Sequence, residues 1–293
     1  LSDSGENLAL VIPPGSSSAT TTIDEIPLCA GWCGKGSSTG NKPSMERDGS
    51  TTTTDATYST WGSNIEIIRN GTNRSGGSLF GTPSSRNSIT HLINKNQDIT
   101  NDYTVLASGS PYVVNSKNMA IDAGKTLTIQ AGTVIKFNQN SGFTVHGSLL
   151  VQGTASNQVT LTSFQDDTRG GDLNGDASGT SPQVGDWLGM EVTTTSLNTS
   201  ISNAEIMYGG SGTRPANMSV DTAQVAITGS TFERSTVYGL YLIDTSSSVS
   251  NSTFRNNNAQ NSSSGIGGAR GAPTITGNTF QSNRFGILFS NSS

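Results

Sequence analysis

From Tyr103 onward the apolar positions fall in short, β-branched runs broken by Gly, Asn, Ser and Thr. No stretch carries the i, i+3, i+4 spacing of an amphipathic helix, so the pattern predicts an all-β chain. The second half repeats itself. Four segments align: Ile201-Ser-Asn-Ala-Glu-Ile206, Ile227-Thr-Gly-Ser-Thr-Phe232, Val249-Ser-Asn-Ser-Thr-Phe254 and Ile275-Thr-Gly-Asn-Thr-Phe280, with starts 26, 22 and 26 residues apart. Three of them lead into a second motif, Gly239-Leu-Tyr-Leu242, Gly265-Ile-Gly-Gly268 or Gly286-Ile-Leu-Phe289. Each period is read as two strands around a polar turn. Tighter runs upstream keep the rhythm: Lys125 to Ile129, Val134 to Phe137, Phe143 to Val145, Ser148 to Val151 and Val159 to Thr162.

A period of this length with strands and no helix fits one coil of a parallel β-helix, each coil stacking on the last at about 4.8 Å. Leucine-rich repeats would need an L-x-x-L-x-L-x-x-N frame that none of the four segments has. Alternate residues then point inward, so Ile227, Phe232, Val249, Phe254, Ile275 and Phe280 are predicted interior ladders. Gly229, Asn251 and Gly277 suit tight or left-handed corners, where an Asn side chain can bond to the next coil. Right-handed crossovers predict a right-handed helix.

Residues 1–88 differ: apolar runs at Leu8 to Ile12, Ile23 to Leu28 and Ile65 to Ile68 alternate with loops rich in Ser, Thr, Gly and Pro, which reads as a small sandwich. A polar connector follows over 89–105, and the β-helix occupies 106–293. The chain has 293 residues, 13% of them charged, with a net charge of -5. So few Lys and Arg argue against nucleic acid, which needs several phosphates neutralised. No run of 18 apolar residues is present, so no helical membrane insertion is expected. The first residue is Leu1 rather than Met, which reads as a processed or partial chain.

Leu1 to Leu10, Gly31-Trp-Cys-Gly34, Ser44-Met-Glu-Arg47, Trp61, Gly81-Thr-Pro83 and Asn87, in that order, resemble the later strands of a bacterial lamin-tail domain. The Ser-Met-Glu-Arg followed by Trp is the most specific part. The resemblance implies an immunoglobulin-like sandwich whose first half is missing and is completed by a flanking segment or another chain. From about Tyr112, Pro111-Tyr-Val-Val114, Ala123 to Ile129, Ala131 to Phe137, Gly147-Ser-Leu149, Gly153-Thr154 and Gly185-Asp-Trp187 resemble the right-handed β-helix of secreted bacterial surface proteins. That fold hosts lyases, hydrolases, adhesins and inert spacers alike. The expected fold is a partial immunoglobulin-like sandwich followed by a right-handed parallel β-helix.

Asp166 to Asp176 is the densest polar stretch, an excursion between a strand ending at Phe164 and one beginning at Trp187. Asp172, Asn174 and Asp176 have the 1, 3, 5 spacing of oxygen ligands in calcium loops, which makes them a candidate Ca²⁺ site. Ala177 stands at the sixth place and Gln183 at the twelfth, where an EF-hand has Gly and Glu. A solvated acidic turn capped by its own Asp and Asn is the competing reading. Cys29 and Cys33, four apart with no other thiol, read as a local disulfide or as two free thiols in a loop.

Enzymatic chemistry has less support. A glycosidase needs two carboxyls about 5–9.5 Å apart in a groove, and a lyase-like site would draw its base from Arg169, Arg234 or Lys136. His146 reads as an outward corner residue, and Trp32, Trp61 and Trp187 as core packing. No G-x-S-x-G, H-E-x-x-H or P-loop occurs. Seven N-x-S/T sequons are present, including Asn217, in a chain rich enough in Asn, Ser and Thr to produce them by chance. The function expected is that of a non-enzymatic structural or adhesive protein, extracellular or on the bacterial cell surface. It would self-associate or pair with flanking segments, as a filament subunit joined by strand addition. The alternative is a secreted polysaccharide-binding or polysaccharide-cleaving β-helix.

Overall fold

The structure is a computed structural model and describes residues 8–12, 21–26, 43–47, 61–72, 76–77, 79–83, 85–213, 215–257 and 262–290. Cys29, Cys33 and Trp32 lie outside these residues, as does the side chain of Trp61. Packing divides the chain into two units, one of 1–91 with Leu173–Gly175, the other of Leu92–Asp172 with Asp176–Ser293.

In the first unit, β1 (Leu8–Ile12) pairs antiparallel with β2 (Thr21–Ile26), and β3 (Met45–Arg47) with β4 (Trp61–Ser63). Period-2 alternation and β-branched residues favour extended backbone here. The described part is organised around one buried carboxylate. Glu46, 2% exposed, accepts hydrogen bonds from Asn64 Nδ2 (2.8 Å), Thr82 Oγ1 (2.8 Å), Ser88 Oγ and the Ile89 amide (3.3 Å). Asn87 Nδ2 donates to the Arg47 carbonyl at 2.8 Å. Glu46 and Thr82, distant in sequence, thus meet in one hydrogen-bond hub, and Asn87 is tied to the same strand through the Arg47 carbonyl. A buried carboxylate needs several donors to offset its lost hydration, which explains why polar residues converge on it.

The second unit is a parallel β-helix of seven coils with three strands each. The first coil holds β5 (Tyr103–Val105), β6 (Tyr112–Val114) and β7 (Asn118–Ile121). The second holds β8 (Thr126–Gln130), β9 (Val134–Phe137) and β10 (Gly142–Val145), and the third β11 (Ser148–Gln152), β12 (Val159–Ser163) and β13 (Gly189–Val192). The fourth holds β14 (Thr199–Ser202), β15 (Ala204–Met207) and β16 (Ala216–Asp221), and the fifth β17 (Val225–Thr228), β18 (Thr231–Glu233) and β19 (Tyr238–Ile243). The sixth holds β20 (Ser248–Ser250), β21 (Thr253–Arg255) and β22 (Ser264–Ala269), and the seventh β23 (Thr274–Thr276), β24 (Thr279–Gln281) and β25 (Phe285–Ser290). Equivalent strands stack into three seven-stranded sheets.

Register makes the interior continuous. One column runs Val105, Ile129, Val151, Ile201, Ile227, Val249, Ile275; another runs Tyr112, Ile135, Leu161, Ile206, Phe232, Phe254, Phe280. Ile227, Phe232, Val249 and Phe254 are buried as the repeat alignment predicts, while Ile275 and Phe280 in the seventh coil are partly buried against them. The repeat segments differ from expectation in one respect: each six-residue run spans two strands on two sheets, not one. The bend falls at Asn203 (φ 46), Gly229 (φ 60), Asn251 (φ 49) and Gly277 (φ 64), all left-handed. A Cβ on Gly229 would stand 2.6 Å from Asn203 Oδ1, and one on Gly277 2.6 Å from Asn251 Oδ1, so Asn and Gly alternate up the corner for want of space. Beside it, Ser230 Oγ accepts from the Ala204 amide (3.1 Å), Ser252 Oγ from Ser230 (3.1 Å) and Asn278 Oδ1 from Ser252 (2.9 Å). These polar side chains satisfy the backbone where the ladder breaks.

Candidate functional site

The departure from the coil begins where β12 ends. Asp166 is 1% exposed and accepts from Thr162 Oγ1 (2.7 Å), Thr168 Oγ1 (2.6 Å) and the Thr168 amide (3.2 Å), an Asx-type turn that reverses the chain. Asp186 closes the other end, accepting from Ser163 Oγ (2.6 Å) and the Gln183 amide (2.8 Å). Trp187 then returns to the core. Fully buried, it stacks on Phe137 with ring centroids 4.2 Å apart and donates Nε1–H to the Met207 carbonyl at 2.8 Å. Core packing is therefore the role of Trp187.

Within the excursion, carboxylate oxygens of Asp167, Asp172 and Asp176 lie within 4.8 Å of one another. Asp172 Oδ2 accepts the Ala177 amide (2.8 Å), and Asp176 Oδ2 accepts Thr180 Oγ1 (2.6 Å), so both also cap their own turn. Ala177 has φ 62, the left-handed conformation that Gly gives a calcium loop at this place. Asn174 belongs to the stretch Leu173–Gly175 that groups with the first unit. Asp167 was not foreseen as a member of this cluster. It stands outside the 1, 3, 5 spacing, and only the fold brings it alongside Asp172 and Asp176.

Beside these carboxylates lies a cation in an unusual place. Lys136, in β9, is 0% exposed and donates from Nζ to the Gly171 carbonyl. Burial holds its pKa below the ordinary lysine range, while Asp167, Asp166 and Asp172 work the other way. Burial also pushes the Asp167 carboxyl up, reinforced by repulsion from Asp172 and opposed by Lys136. Asp167 Oδ1 is buried and without a hydrogen-bond partner. In the sequence this lysine is a candidate base and a charge inside the apolar run Val134-Ile-Lys-Phe137, with nothing local to show its burial beside the aspartates.

The neighbouring corner adds further ionisable groups. Tyr208 (φ 67) and Arg234 (φ 52) are left-handed, and Arg234 Nη1 donates to the Tyr208 hydroxyl at 2.5 Å. Burial raises the Tyr208 pKa against the pull of Arg234. Glu233, 4% exposed, is held by Arg255 Nε and stands 3.8 Å from Arg234 Nη1. Arg169 Nη2 pairs with Glu205 Oε2 at 3.1 Å. All three cations considered as lyase bases are thus engaged within the protein. His146 is half-buried, with Nδ1 3.0 Å from Thr193 Oγ1. In the first unit a cavity of about 440 Å³ is lined by Met45, Leu79, Phe80 and Pro83 among others. Glu46 is the ionisable residue in its lining, and its oxygens are occupied by the hub.

These features define a parallel β-helix protein with a polar excursion on one side. The family described as Right handed beta helix region matches residues 217–293, the fifth to seventh coils with the last part of the fourth, in keeping with the right-handed solenoid. No curated protein and no solved structure matches the chain.

Proposed function

We propose that the chain is a non-enzymatic structural or adhesive protein, extracellular or on the cell surface, whose β-helix acts as a rod that self-associates by strand addition. The observation that carries this reading is the engagement of Lys136, Arg169, Arg234 and Arg255 with Gly171, Glu205, Tyr208 and Glu233. Groups locked in such contacts strengthen a stack of coils and are withheld from proton transfer. The lamin-tail-like reading of the first unit belongs to the same proposal, supported by its two antiparallel pairs and by the contacts of Thr82 with Glu46 and of Asn87 with Arg47. Ca²⁺ belongs to it as well. Hard oxygen donors suit that ion, and a divalent cation would relieve the repulsion between Asp167 and Asp172, with Asp176 completing the carboxylate set.

Incubation with neutral and acidic polysaccharides, followed by assays for new reducing ends and unsaturated products, tests the reading. No turnover is expected. Turnover abolished by Lys136→Ala or Arg169→Ala would replace it with the polysaccharide-cleaving alternative.

A further inference from the structure

The outer face of the sheet containing β19 carries an aromatic pair away from the excursion just described. Tyr238 and Tyr241 are both half-buried, with ring centroids 4.6 Å apart and planes 16° from parallel. Tyr241 stands in register between Ser219 of β16 and Gly267 of β22. The Tyr238 ring occupies the space over Gly267: a Cβ there would stand 2.3 Å from Tyr238 Cδ1. Glycine weakens a strand interior and often marks a close approach. Here its absent side chain lets a tyrosine lie across the sheet.

Ser219, the in-register neighbour of Tyr241, also lines a crevice of about 150 Å³ with Asn118, Leu188, Glu191 and Thr213. Thr144, Glu191, Ser219, Tyr241 and Gly267 form one column along the helix axis, each step being one coil. Coils repeat at about 4.8 Å, comparable to one ring of an extended sugar chain. Asn118 Nδ2 donates to Thr144 Oγ1 at 2.8 Å, and the Arg270 and Asp244 side chains form a paired fork at 2.7–3.0 Å near Tyr241. A stacked aromatic pair beside a small crevice that offers Asn118, Glu191, Thr213 and Ser219 among apolar neighbours such as Phe143, Leu188 and Met190 matches a pyranose, with its apolar C–H face and hydroxyl rim. Glu191 and Asp221 on this sheet, with a net charge of -5 for the chain, disfavour an acidic ligand.

We propose that Tyr238 and Tyr241, with the crevice beginning at Ser219, form a binding site for a neutral glycan lying along the helix axis. The site deepens the adhesive half of the proposed function and rests on it.

The test is titration calorimetry of the full chain with cellohexaose, xylohexaose and mannohexaose, and with the hexamer of galacturonic acid as the acidic control. Saturable binding of at least one neutral hexaose is expected, weakened at least tenfold by Tyr241→Ala and by Tyr238→Ala, and retained by Tyr241→Phe. Gly267→Ala, which displaces the Tyr238 ring without altering either tyrosine, is expected to weaken it also. Circular dichroism identifies any variant that fails to fold. No binding of any neutral hexaose, preference for the acidic hexamer, or binding indifferent to folded Tyr241→Ala and Gly267→Ala would overturn the site. Sedimentation of the same samples reports self-association separately, so loss of the glycan site and loss of the rod are distinguishable.

Discussion

Phe232 and Phe254 lie in register on neighbouring coils, with ring centroids 5.2 Å apart and planes 11° from parallel. Phe280 continues the stack at 5.4 Å. The contact is a consequence of the repeat, since the two residues hold the same position in coils 22 residues apart. Phe254 is fully buried between the other two, so Phe254→Ala is expected to destabilise the β-helix by about 3–5 kcal/mol. Phe280→Ala, at a partly buried position, is expected to cost less. Chemical denaturation followed by circular dichroism checks the order, and equal costs would contradict the burial gradient.

The Glu46 hub makes a prediction confined to the first unit. Glu46→Ala removes the acceptor for Asn64, Thr82 and Ser88, and a buried donor left unsatisfied costs about 1–3 kcal/mol. Hydrogen exchange should show loss of protection around Met45–Arg47 and Ser88–His91 with the β-helix unchanged. Uniform loss along the chain would contradict an independent first unit.

Lys136 and Asp167 predict a pH dependence with a defined sign. A carboxyl whose pKa is raised by folding contributes stability below its unfolded value and loses it as pH rises through the folded value. Asp167→Asn should therefore raise the melting temperature at neutral pH in the presence of chelator, and change little in acid. Lys136 has the lowered pKa of a buried base, so its own contribution is complete only above its unfolded value and falls as pH drops through the folded one. Because that burial outweighs the attraction of Asp167, Asp166 and Asp172, Lys136→Met, which removes the buried ammonium, should melt no lower than the parent protein at neutral pH. Its advantage should grow in acid, where protonation of the carboxylates removes the attraction. Scanning calorimetry across pH is the measurement, and a lower melting temperature for Asp167→Asn at neutral pH would contradict the assignment.

Ca²⁺ should relieve the same repulsion by binding the cluster. Millimolar Ca²⁺ is expected to raise the melting temperature relative to chelator, and Asp172→Asn with Asp176→Asn should abolish the rise. Identical melting in both conditions would leave the aspartates as turn caps alone.

The repeat was legible because its interior positions recur: Ile201, Ile227, Val249 and Ile275 share one column, as do Ile206, Phe232, Phe254 and Phe280. The corner inside each segment was less legible. Gly229 and Asn251 signalled left-handed backbone, but a bend within six residues looks like one strand when apolar residues sit at both ends. Likewise Asp172 and Asp176 showed a local spacing, whereas Asp167, Lys136 and the convergence of Thr82 and Ser88 on Glu46 depend on contacts between distant positions. No local pattern encodes them.

Self-association is the most direct test of the rod. In β25, Phe285 and Ile287 are 43% and 46% exposed, large apolar side chains open to contact with a second copy of the chain. Sedimentation velocity of the chain over a wide concentration range, with electron microscopy of the same samples, is the measurement. The account predicts oligomers or filaments that grow with concentration and are lost in the double variant F285K/I287K. A folded monomer at every concentration, unaffected by those two substitutions, would contradict it.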